Sequence, residues 1–271
     1  MKIEEHEIDV NKIIDVAKAA GDKILEIYNK ESFDRQLKTD NSPLTEADIV
    51  SHNLITQLLK NITPTIPIIS EESSTISWKE RRQYKCYWLI DPLDGTKKFI
   101  KKNGEFTVNI ALIHKDTPVL GVVYAPALDA CYWAKQGEGA FRDGTKLPLK
   151  TEKERDTYKI VASRSHMSDE TQAFINAIET NKEKELISIG SSLKICLVAE
   201  GEADIYPRLG PTMEWDTGAA HAIVNESGGF IEKYTYTQKS KYTYNKSNLL
   251  NDCFVTGLVT HIAPQQIKTT I

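Results

Sequence analysis

The sequence is poor in cysteine and has no long hydrophobic run. Its four cysteines lie far apart and form no CxxC pair, which favours reduced thiols over a disulfide framework. The longest stretch low in charge, residues 119–128, is ten residues long, about half of what a membrane span needs. The first nine residues, MKIEEHEID, hold four acidic side chains and none of the apolar stretch of a secretory signal. We therefore expect a soluble, cytoplasmic protein without an integral membrane segment.

Basic residues are not in excess either, since 34 Lys and Arg stand against 38 Asp and Glu, a formal net charge of −4. A general nucleic-acid-binding protein would carry a basic surplus, so we expect no nucleic-acid partner. The histidines show no HxxxH or HExxH spacing, which argues against a zinc site. What remains is a chain of 271 residues with ordinary globular composition, long enough to bury a large core.

Apolar periodicity predicts an α+β half over residues 1–150 and an α/β half over residues 151–271. In the first half we predict helices over 9–29 and 45–60, separated by a polar loop, and short buried strands over 66–69 and 87–90. An antiparallel meander follows over 106–114, 119–124, 131–135 and 139–142. In the second half we predict strands over 159–163, 186–189, 204–206 and 253–258, and helices over 169–179, 191–200 and 216–226. A surface hairpin or loop is expected at 234–247 and a domain boundary at 145–157.

Acidic side chains recur where predicted strands end and predicted helices begin. Such ends often meet at a common cleft, where functional groups collect. In DPLDGT, Pro92 fixes a turn and Gly95 allows close backbone approach, so that Asp91 and Asp94 can face one point. Carboxylates that converge repel one another unless a cation lies between them, and an all-oxygen site suits Mg²⁺. DPLDGT alone is equally compatible with an ordinary turn. The acidic residues at these ends are Asp40, Asp48, Glu71, Glu72, Asp91, Asp94 and Asp216.

Two further motifs look functional but are better explained as turns. Asp143-Gly144-Thr145 repeats the DGT triplet between two strand-like segments, which is typical of a hairpin turn. Gly137-Glu138-Gly139 looks like half of a phosphate-binding loop, but neither a third glycine nor a helix follows it. We expect neither motif to take part in chemistry.

Four sequence blocks occur together and in a characteristic order: DNSPLTEAD (40–48), SEES (70–73), WLIDPLDGT (88–96) and EWDTGAAH (214–221). In these blocks the chain resembles, over nearly its whole length, the inositol monophosphatase superfamily of Mg²⁺-dependent, lithium-sensitive phosphatases. Five more blocks are most similar to the bacterial 3'(2'),5'-bisphosphate nucleotidases of that superfamily: LDGTKKFI (93–100), NGEFTVNIAL (103–112), SRSH (163–166), SIGSSLK (188–194) and YPR (206–208). The resemblance implies a layered αβαβα sandwich and a role in sulfur metabolism. The implied reaction removes the 3'-phosphate of adenosine 3',5'-bisphosphate (PAP), giving AMP and phosphate, and extends to 3'-phosphoadenosine 5'-phosphosulfate (PAPS).

The resemblance also implies roles for individual residues. Four carboxylates, those of Glu71, Asp91, Asp94 and Asp216, would hold two or three Mg²⁺ ions together with the backbone carbonyl of Leu93. Asp48 and Thr96 match the pair that positions and deprotonates the attacking water. The implied substrate contacts are Glu71, Leu93, Asp94, Gly95, Thr96, His166, Ser191, Lys194, Arg208 and Asp216. The family match selects Glu71 rather than Glu72 as the metal ligand, a choice that the sequence alone does not make.

The surroundings of these residues allow more than one interpretation. Lys97, Lys98, Lys101 and Lys102 follow the DPLDGT loop and either face solvent or contact substrate phosphate. Glu214 precedes Asp216 by two residues and either repels a second substrate phosphate or points to solvent.

Two alternative functions also stay open. The first is an inositol monophosphatase or broad sugar-phosphate phosphatase, against which the nucleotide-side residues His166, Ser191, Lys194 and Arg208 argue. The second is a non-catalytic relative that binds phosphorylated metabolites, against which the complete set of metal-binding and water-activating residues argues. The resemblance leaves open a peripheral place on the cytoplasmic face of the inner membrane, and nothing in the sequence indicates the oligomeric state.

Overall fold

In the computed structural model, which describes residues 2–3, 6–38, 43–73, 75–150, 156–162, 167–234 and 241–258, two helices cover one face of a large sheet. These helices, α1 (Val10–Tyr28) and α2 (Glu46–Ile62), confirm the two amphipathic helices predicted near the start of the chain. The Asp9 side chain begins α1 by accepting a 3.0 Å hydrogen bond from the backbone N–H of Asn11. The buried face of α1, which includes Ile13 and Ile24, packs with Trp88 and Ile90 of the sheet.

The other elements are the strands, most of which form two large sheets, and the helices that lie between and beside these sheets. The further helices of the described residues are α3 (Trp78–Arg81), α4 (Thr96–Ile100), α5 (Asp169–Ala177), α6 (Leu193–Glu200) and α7 (Glu214–Glu226), with a 3₁₀ turn at Pro126–Leu128. The strands are β1 (Lys2–Ile3), β2 (His6–Glu7), β3 (Arg35–Leu37), β4 (Pro43–Thr45), β5 (Ile68–Ser70), β6 (Cys86–Asp94), β7 (Thr107–His114), β8 (Thr117–Ala125), β9 (Ala130–Lys135), β10 (Gly139–Arg142), β11 (Thr145–Lys146), β12 (Thr157–Val161), β13 (Glu183–Ile187), β14 (Ile205–Arg208), β15 (Gly229–Lys233) and β16 (Phe254–Leu258).

The first large sheet has seven strands in the order β11-β10-β9-β8-β7-β6-β5. Strands β6 to β11 pair antiparallel, which confirms the predicted meander, while β5 pairs parallel to β6. The strand predicted over 87–90 is longer than expected, because β6 continues past Asp91 until Asp94 pairs with Thr107. The pairing shifts register between Asp91 and Asp94. Pro92 lies in that interval and has no N–H to give to a ladder, so the irregularity falls there.

The second large sheet has five strands in the order β13-β12-β14-β16-β15. Strands β12, β13 and β14 run parallel, and β16 pairs antiparallel with β14 and β15. Strand β15 was not predicted, since the sequence analysis placed only a helix ending at Gly228-Gly229 and then a loop. The predicted loop over 234–247 lies partly outside the described residues. Helices α6 and α7 have shifted starts: α6 begins after Ser191, whose φ of +47° is incompatible with a helix, and α7 begins at Glu214.

These elements stack in five layers. Helices α6 and α7 pack between the two sheets, α1 and α2 cover the outer face of the first sheet, and α5 covers the second. Helix α7 lies unusually close to β8, since a Cβ placed on Gly121 would come within 2.1 Å of the Ala219 carbonyl oxygen. The layering confirms the αβαβα sandwich that the resemblance implies. Within the described residues, no helix combines the length and the hydrophobicity that crossing a membrane requires.

Candidate active site

Asp91 and Asp94 lie at the carboxyl end of β6, in the stretch where its pairing shifts register. Asp91 is buried and its Oδ1 accepts a 3.1 Å hydrogen bond from the backbone N–H of Leu93. Ser51 of α2 fixes the same turn by donating from Oγ to the Pro92 carbonyl at 2.7 Å. The turn ends at Gly95, which has a φ of +91° and lies close to the Glu105 carbonyl. Any residue with a Cβ would be strained at this position. The DPLDGT sequence thus builds a rigid turn that turns both carboxylates into the interior.

Asp94 is held from the other half of the chain. Its Oδ2 accepts a 2.6 Å hydrogen bond from the backbone N–H of Ser192, just before α6, and a longer one of 3.4 Å from Asn109 Nδ2. Ser192 Oγ in turn lies 2.8 Å from Asn109 Oδ1 and 2.9 Å from Thr107 Oγ1. This buried network orients one oxygen of Asp94 and leaves the other for the cleft.

Asp216 approaches the same point from the first turn of α7. Its Oδ2 accepts a 2.8 Å hydrogen bond from the backbone N–H of Met213, so the carboxylate caps the helix that carries it. Met213 is held by Asn251, whose Nδ2 donates to the Met213 carbonyl at 2.7 Å. Asp216 therefore has a fixed backbone and a carboxylate turned toward Asp94.

Asp94 and Asp216 line one cavity, and Asp91 lies close enough for the three carboxylates to affect one another's pKa. Burial, with smaller contributions from the charges of Glu71, Asp94 and Asp216, raises the pKa of Asp91 well above its ordinary value. Burial raises the pKa of Asp94 to about 6, although the Lys194 charge and the Ser192 N–H oppose it. Burial and the Asp94 charge raise the pKa of Asp216 to about 8. Carboxylates in this state are held together against their own repulsion, which is what a bound cation relieves.

Asp48 and Thr96, predicted as the water-activating pair, are in direct contact. Thr96 Oγ1 donates to Asp48 Oδ1 at 3.1 Å and lies 3.3 Å from the Leu93 carbonyl. The other oxygen of Asp48 accepts two hydrogen bonds from Thr45, from its backbone N–H at 2.7 Å and from its hydroxyl at 2.6 Å. Burial raises the pKa of Asp48, while the hydrogen bonds from Thr45 and Thr96 lower it. Asp48 is buried and Thr96 half-buried, and the hydrogen bond between them lies next to the Leu93 carbonyl that is predicted to bind metal.

Glu71 and Glu72 follow β5 and both contact Lys38. Lys38 Nζ donates to Glu71 Oε1 at 2.7 Å and to Glu72 Oε1 at 2.5 Å. Burial alone would lower the pKa of Lys38, but the Glu71 charge and the hydrogen bonds to both carboxylates raise it above its ordinary value. Burial raises the pKa of Glu72, against the hydrogen bond from Lys38. An ammonium group thus already provides positive charge beside one of the predicted metal ligands.

Lys194 and Arg208 line the side of the cleft predicted to hold the nucleotide. A cavity of about 120 Å³ is bounded by Asp94, Asp216 and both basic residues, and a second cavity of about 270 Å³ adjoins it along Lys194 and Arg208. Burial lowers the pKa of Lys194, against the attraction of Asp94. Lys194 Nζ makes a long contact of 3.4 Å to the Ser191 carbonyl. Arg208 donates from Nη2 to the Pro211 carbonyl at 2.8 Å, and its buried Nε has no hydrogen-bond partner in the described residues.

The remaining predicted substrate contacts divide between the cleft and its surroundings. Ser191 lines the smaller cavity, and its Oγ donates to the Glu105 carbonyl at 3.1 Å rather than capping α6. His166 lies outside the described residues, although Ala162 and Ser168 on either side of it line the larger cavity.

The four lysines after DPLDGT do not act as a group. Lys98 pairs with Glu105 at 2.7 Å. Lys102 lies over the Tyr28 ring, with Nζ 4.5 Å from its centroid. Lys97 and Lys101 are exposed.

Both interpretations offered for Glu214 are wrong. Its side chain is fully buried, and its carboxylate accepts hydrogen bonds from the backbone N–H groups of Asn245 at 2.7 Å and Lys246 at 3.0 Å. Lys246 Nζ also donates to it at 2.7 Å. Glu214 therefore anchors the chain around residue 245 to the start of α7. It neither repels substrate nor points to solvent.

Sequence reasoning missed Lys38, Thr45, Asn109 and Ser192, although all four hold predicted site carboxylates. Thr45 carried a usable signal, because a threonine three residues before an acidic residue at a helix start is typical of a capping box. Lys38, Asn109 and Ser192 act across long separations in the chain, for which a single sequence gives no signal.

The donor set fits divalent cations, even though the side chains do not stand in a finished coordination shell. Within the described residues, no three acidic, histidine or cysteine side chains form a ready-made metal cage. The donors nevertheless consist of oxygen atoms only, and three of the carboxylates have raised pKa values caused by burial and mutual repulsion. Carboxylate and carbonyl oxygens are the ligands that suit Mg²⁺, so the chemistry of this donor set fits that ion.

Comparison with known proteins identifies the same family as the sequence motifs. The model of the inositol monophosphatase family matches residues 7–263. The 3'(2'),5'-bisphosphate nucleotidase CysQ of Salmonella typhimurium is 44% identical over 227 residues, which covers 83% of this chain and 90% of that relative. The enzyme of the same name from Escherichia coli K12 is 43% identical over 227 residues, with the same coverage of 83% and 90%.

Solved structures show the same likeness in three dimensions. CysQ from Bacteroides thetaiotaomicron, a bacterial member of the inositol monophosphatase family, matches with a TM-score of 0.81 and 43% identity, covering 92% of this chain and 97% of that one. An IMPase from Thermotoga maritima matches with a TM-score of 0.75 at 23% identity, covering 93% and 92%. The second match is a likeness of fold alone.

Proposed function

We propose that this chain, which belongs to the inositol monophosphatase family, is a 3'(2'),5'-bisphosphate nucleotidase that hydrolyses the 3'-phosphate of PAP to AMP and phosphate. Its action extends to PAPS, which carries the same 3'-phosphate. The relatives named for this activity are 43–44% identical to the chain over most of its length. The protein is a Mg²⁺-dependent phosphoric monoester hydrolase in the cytoplasm.

The observation that carries the nucleotide assignment is the pair of basic side chains between the two cavities. Lys194 and Arg208 border both the cavity beside Asp94 and Asp216 and the larger cavity next to it. Neither basic group pairs with a carboxylate by direct contact in the described residues, and the buried Nε of Arg208 has no partner. Basic groups that line a cavity and have no carboxylate in direct contact favour an anionic ligand there. A substrate with a second phosphate, as in a bisphosphate nucleotide, would supply that anion.

The residues that would hold the metal are Glu71, Asp91, Asp94, Asp216 and the Leu93 carbonyl, and in the family's manner they would bind two or three ions. Bound Mg²⁺ lowers the pKa of water and neutralises negative charge on the phosphate oxygens. Of these carboxylates, Asp94 is held by the Ser192 N–H and Asp216 by the Met213 N–H, so that each of these two keeps one oxygen for a cation.

Asp48 and Thr96 would move the proton of the reaction. The Thr96 hydroxyl donates to Asp48 Oδ1, so its oxygen is available to accept a proton from the attacking water. As the Thr96 oxygen takes the proton of the water, the proton of its own hydroxyl passes to Asp48, which Thr45 orients through its other oxygen. The water oxygen forms a bond to phosphorus as the bond from phosphorus to the 3'-oxygen breaks, and the 3'-oxygen takes up a proton from solvent water and leaves as a hydroxyl.

A phosphate-release assay tests the proposal. PAP, PAPS and inositol 1-phosphate are compared at equal concentrations, with Mg²⁺ and with EDTA. We expect Mg²⁺-dependent release that is fastest on PAP. Faster turnover of inositol 1-phosphate would instead support an inositol monophosphatase, and binding of PAP without any release would support a non-catalytic relative.

A further inference from the structure

Lys38 is the cation that contacts Glu71 in the described part of the chain. Its Nζ lies 2.7 Å from Glu71 Oε1 and 2.5 Å from Glu72 Oε1. The Lys38 side chain is 21% exposed, Glu71 27% and Glu72 6%, so the contact is largely shielded from water. Shielding strengthens the attraction between such charges relative to an exposed surface pair. The ammonium therefore competes for the same carboxylate that we assign to a divalent ion.

The two carboxylates differ in what else they can do. Glu71 lines a cavity of about 300 Å³ together with Met213 and Trp215, which lie close to Asp216 in the chain. Its charge also contributes to the raised pKa values of Asp91, Asp94 and Asp216. Glu72 is the more buried of the two, and its backbone N–H lies 3.4 Å from Ser70 Oγ. Lys38 bridges these two positions. If Glu71 turns toward a divalent ion, Glu72 remains to hold the ammonium.

Lys38 sits on a hairpin that also reaches the water-activating pair. Strand β3 ends at Leu37 and pairs antiparallel with β4, where Leu37 lies opposite Pro43. Strand β4 ends at Thr45, which donates both of its hydrogen bonds to Asp48. The three side chains of β3 are exposed, Leu37 by 70%. The hairpin thus places one cation over Glu71 with few packing contacts to resist a shift of that cation.

We propose that Lys38 is a built-in competitor of the divalent ion at Glu71, and that Glu72 is a positioning residue which retains the Lys38 ammonium when Glu71 binds that ion. The inference rests on the proposed metal site and extends it. Lys38 lowers the affinity of the Glu71 position for metal. Glu72 makes this reduction in affinity smaller, because it holds the Lys38 ammonium when Glu71 binds the ion. The occupancy of this position is then set by a lysine that is not itself a metal ligand.

Metal binding measured without substrate tests this directly. Mn²⁺ binding is followed by EPR on the full chain, and Mg²⁺ affinity by competition. Lys38→Met should bind the ion at Glu71 about tenfold more tightly, the lower end of what one charge-assisted hydrogen bond contributes. Lys38→Arg, which keeps the charge, should stay close to wild type. Lys23→Met is the matched control, since Lys23 forms an exposed pair with Glu26 on α1 and should change nothing.

A double-mutant cycle separates the role of Glu72 from a general effect of its charge. Glu72→Gln should weaken metal binding in the wild type, because Lys38 then relies on Glu71 alone. The same change in the Lys38→Met background should have little effect. An equal loss in both backgrounds would mean that Glu72 acts on the metal directly, and would overturn its positioning role.

The outcomes distinguish failure of this inference from failure of the proposed metal site. Unchanged or weaker metal binding by folded Lys38→Met would overturn the competition. Wild type that binds no Mn²⁺, or binds it equally well after Asp94→Asn, would overturn the metal site and the competition together. Thermal denaturation in EDTA verifies that each variant folds. If Lys38→Met does not fold, Lys38→Gln replaces it, with the same expected increase in metal affinity.

Discussion

The backbone N–H of Ser192 donates a 2.6 Å hydrogen bond to Asp94 Oδ2, across a separation of 98 residues. Asp94 ends β6 of the seven-stranded sheet, and Ser192 precedes α6 in the layer between the sheets. A predicted metal ligand from the first half of the chain is therefore oriented by a helix of the second half. The candidate site lies where these halves meet, so substitutions in either half should affect the geometry of the site.

The first prediction concerns the cation. Asp94→Asn should lower turnover of PAP by several orders of magnitude, because the variant removes a buried negative charge from the metal site. In the wild type, EDTA should abolish phosphate release and added Mg²⁺ should restore it. The measurement is phosphate release over a Mg²⁺ series.

The chain supplies a matched control for this variant. Asp143→Asn changes the same DGT triplet in a hairpin turn, where Asp143 Oδ1 accepts from the Cys131 N–H at 2.9 Å. Asn keeps that acceptor, so activity should be unchanged. Equal losses in the two variants, or full activity in excess EDTA, would contradict the metal assignment.

The second prediction concerns proton transfer. Thr96→Val removes the hydroxyl that bonds Asp48 while keeping the side chain's shape. The variant should lower kcat by about 10²–10⁴-fold with little change in KM, as expected for a lost general base. Steady-state kinetics on PAP at saturating Mg²⁺ provide the test. Thr157→Val, which removes a hydroxyl that donates to Glu185 of the neighbouring strand β13 at 2.8 Å, is the control. Near-normal kcat in a folded, Mg²⁺-binding Thr96→Val would leave Asp48 without its proposed partner.

How much of this could be read from the sequence depends on the range of each interaction. The helices, the meander and the carboxylates follow from local periodicity and from motifs of a few residues, and the structure confirms the elements. The hydrogen bonds that orient the carboxylates join Asp94 to Ser192 and Glu71 to Lys38, 98 and 33 residues apart. Glu214 shows the limit most clearly. Its neighbours in sequence indicated an exposed or substrate-facing charge, whereas its partners come from residues 245 and 246.

The third prediction concerns substrate choice. Lys194→Ala should raise KM for PAP by roughly ten- to a hundredfold, since a buried charge-assisted contact to phosphate contributes about 1.5–3 kcal/mol. KM for inositol 1-phosphate should change much less, because that substrate has no second phosphate. Lys101→Ala, which changes an exposed lysine directly after α4, is the control. An equal effect of Lys194→Ala on both substrates would place Lys194 at the reacting phosphate instead.

The fourth prediction concerns pH and stability in the absence of metal. The pKa of Asp216 rises from an ordinary 3.8 to about 8, and that of Asp94 from 3.8 to about 6, chiefly through burial. The folded state therefore binds more protons than the unfolded state between pH 4 and pH 8, so the free energy of unfolding falls as pH rises through that window.

Thermal melting in EDTA should show a lower Tm at pH 8 than at pH 5. Mg²⁺ should raise Tm more at pH 8, and Asp216→Asn should flatten the dependence. A Tm in EDTA that rises from pH 5 to pH 8 in the wild type and equally in Asp216→Asn would contradict this reasoning.

The last prediction concerns Glu214, which joins the start of α7 to residues 245 and 246. Glu214 accepts from the N–H groups of Asn245 and Lys246 and from the Lys246 ammonium. Lys246 Nζ also reaches Asn251 Oδ1 at 3.2 Å, and Asn251 holds the Met213 carbonyl. The Met213 N–H then donates to Asp216 Oδ2, so a chain of hydrogen bonds runs from Glu214 to a predicted metal ligand.

Glu214→Gln removes one acceptor oxygen and the negative charge while preserving the side chain's size. The variant should lose about 1–3 kcal/mol of unfolding free energy, measured by urea denaturation, because buried donors are left unsatisfied. It should also need more Mg²⁺ for half-maximal activity, since Asp216 is no longer held in place. Glu26→Gln, which breaks an exposed ion pair with Lys23, should change neither quantity by more than about 0.5 kcal/mol or its equivalent. Lost stability with an unchanged Mg²⁺ midpoint would show that Glu214 supports the fold without positioning Asp216.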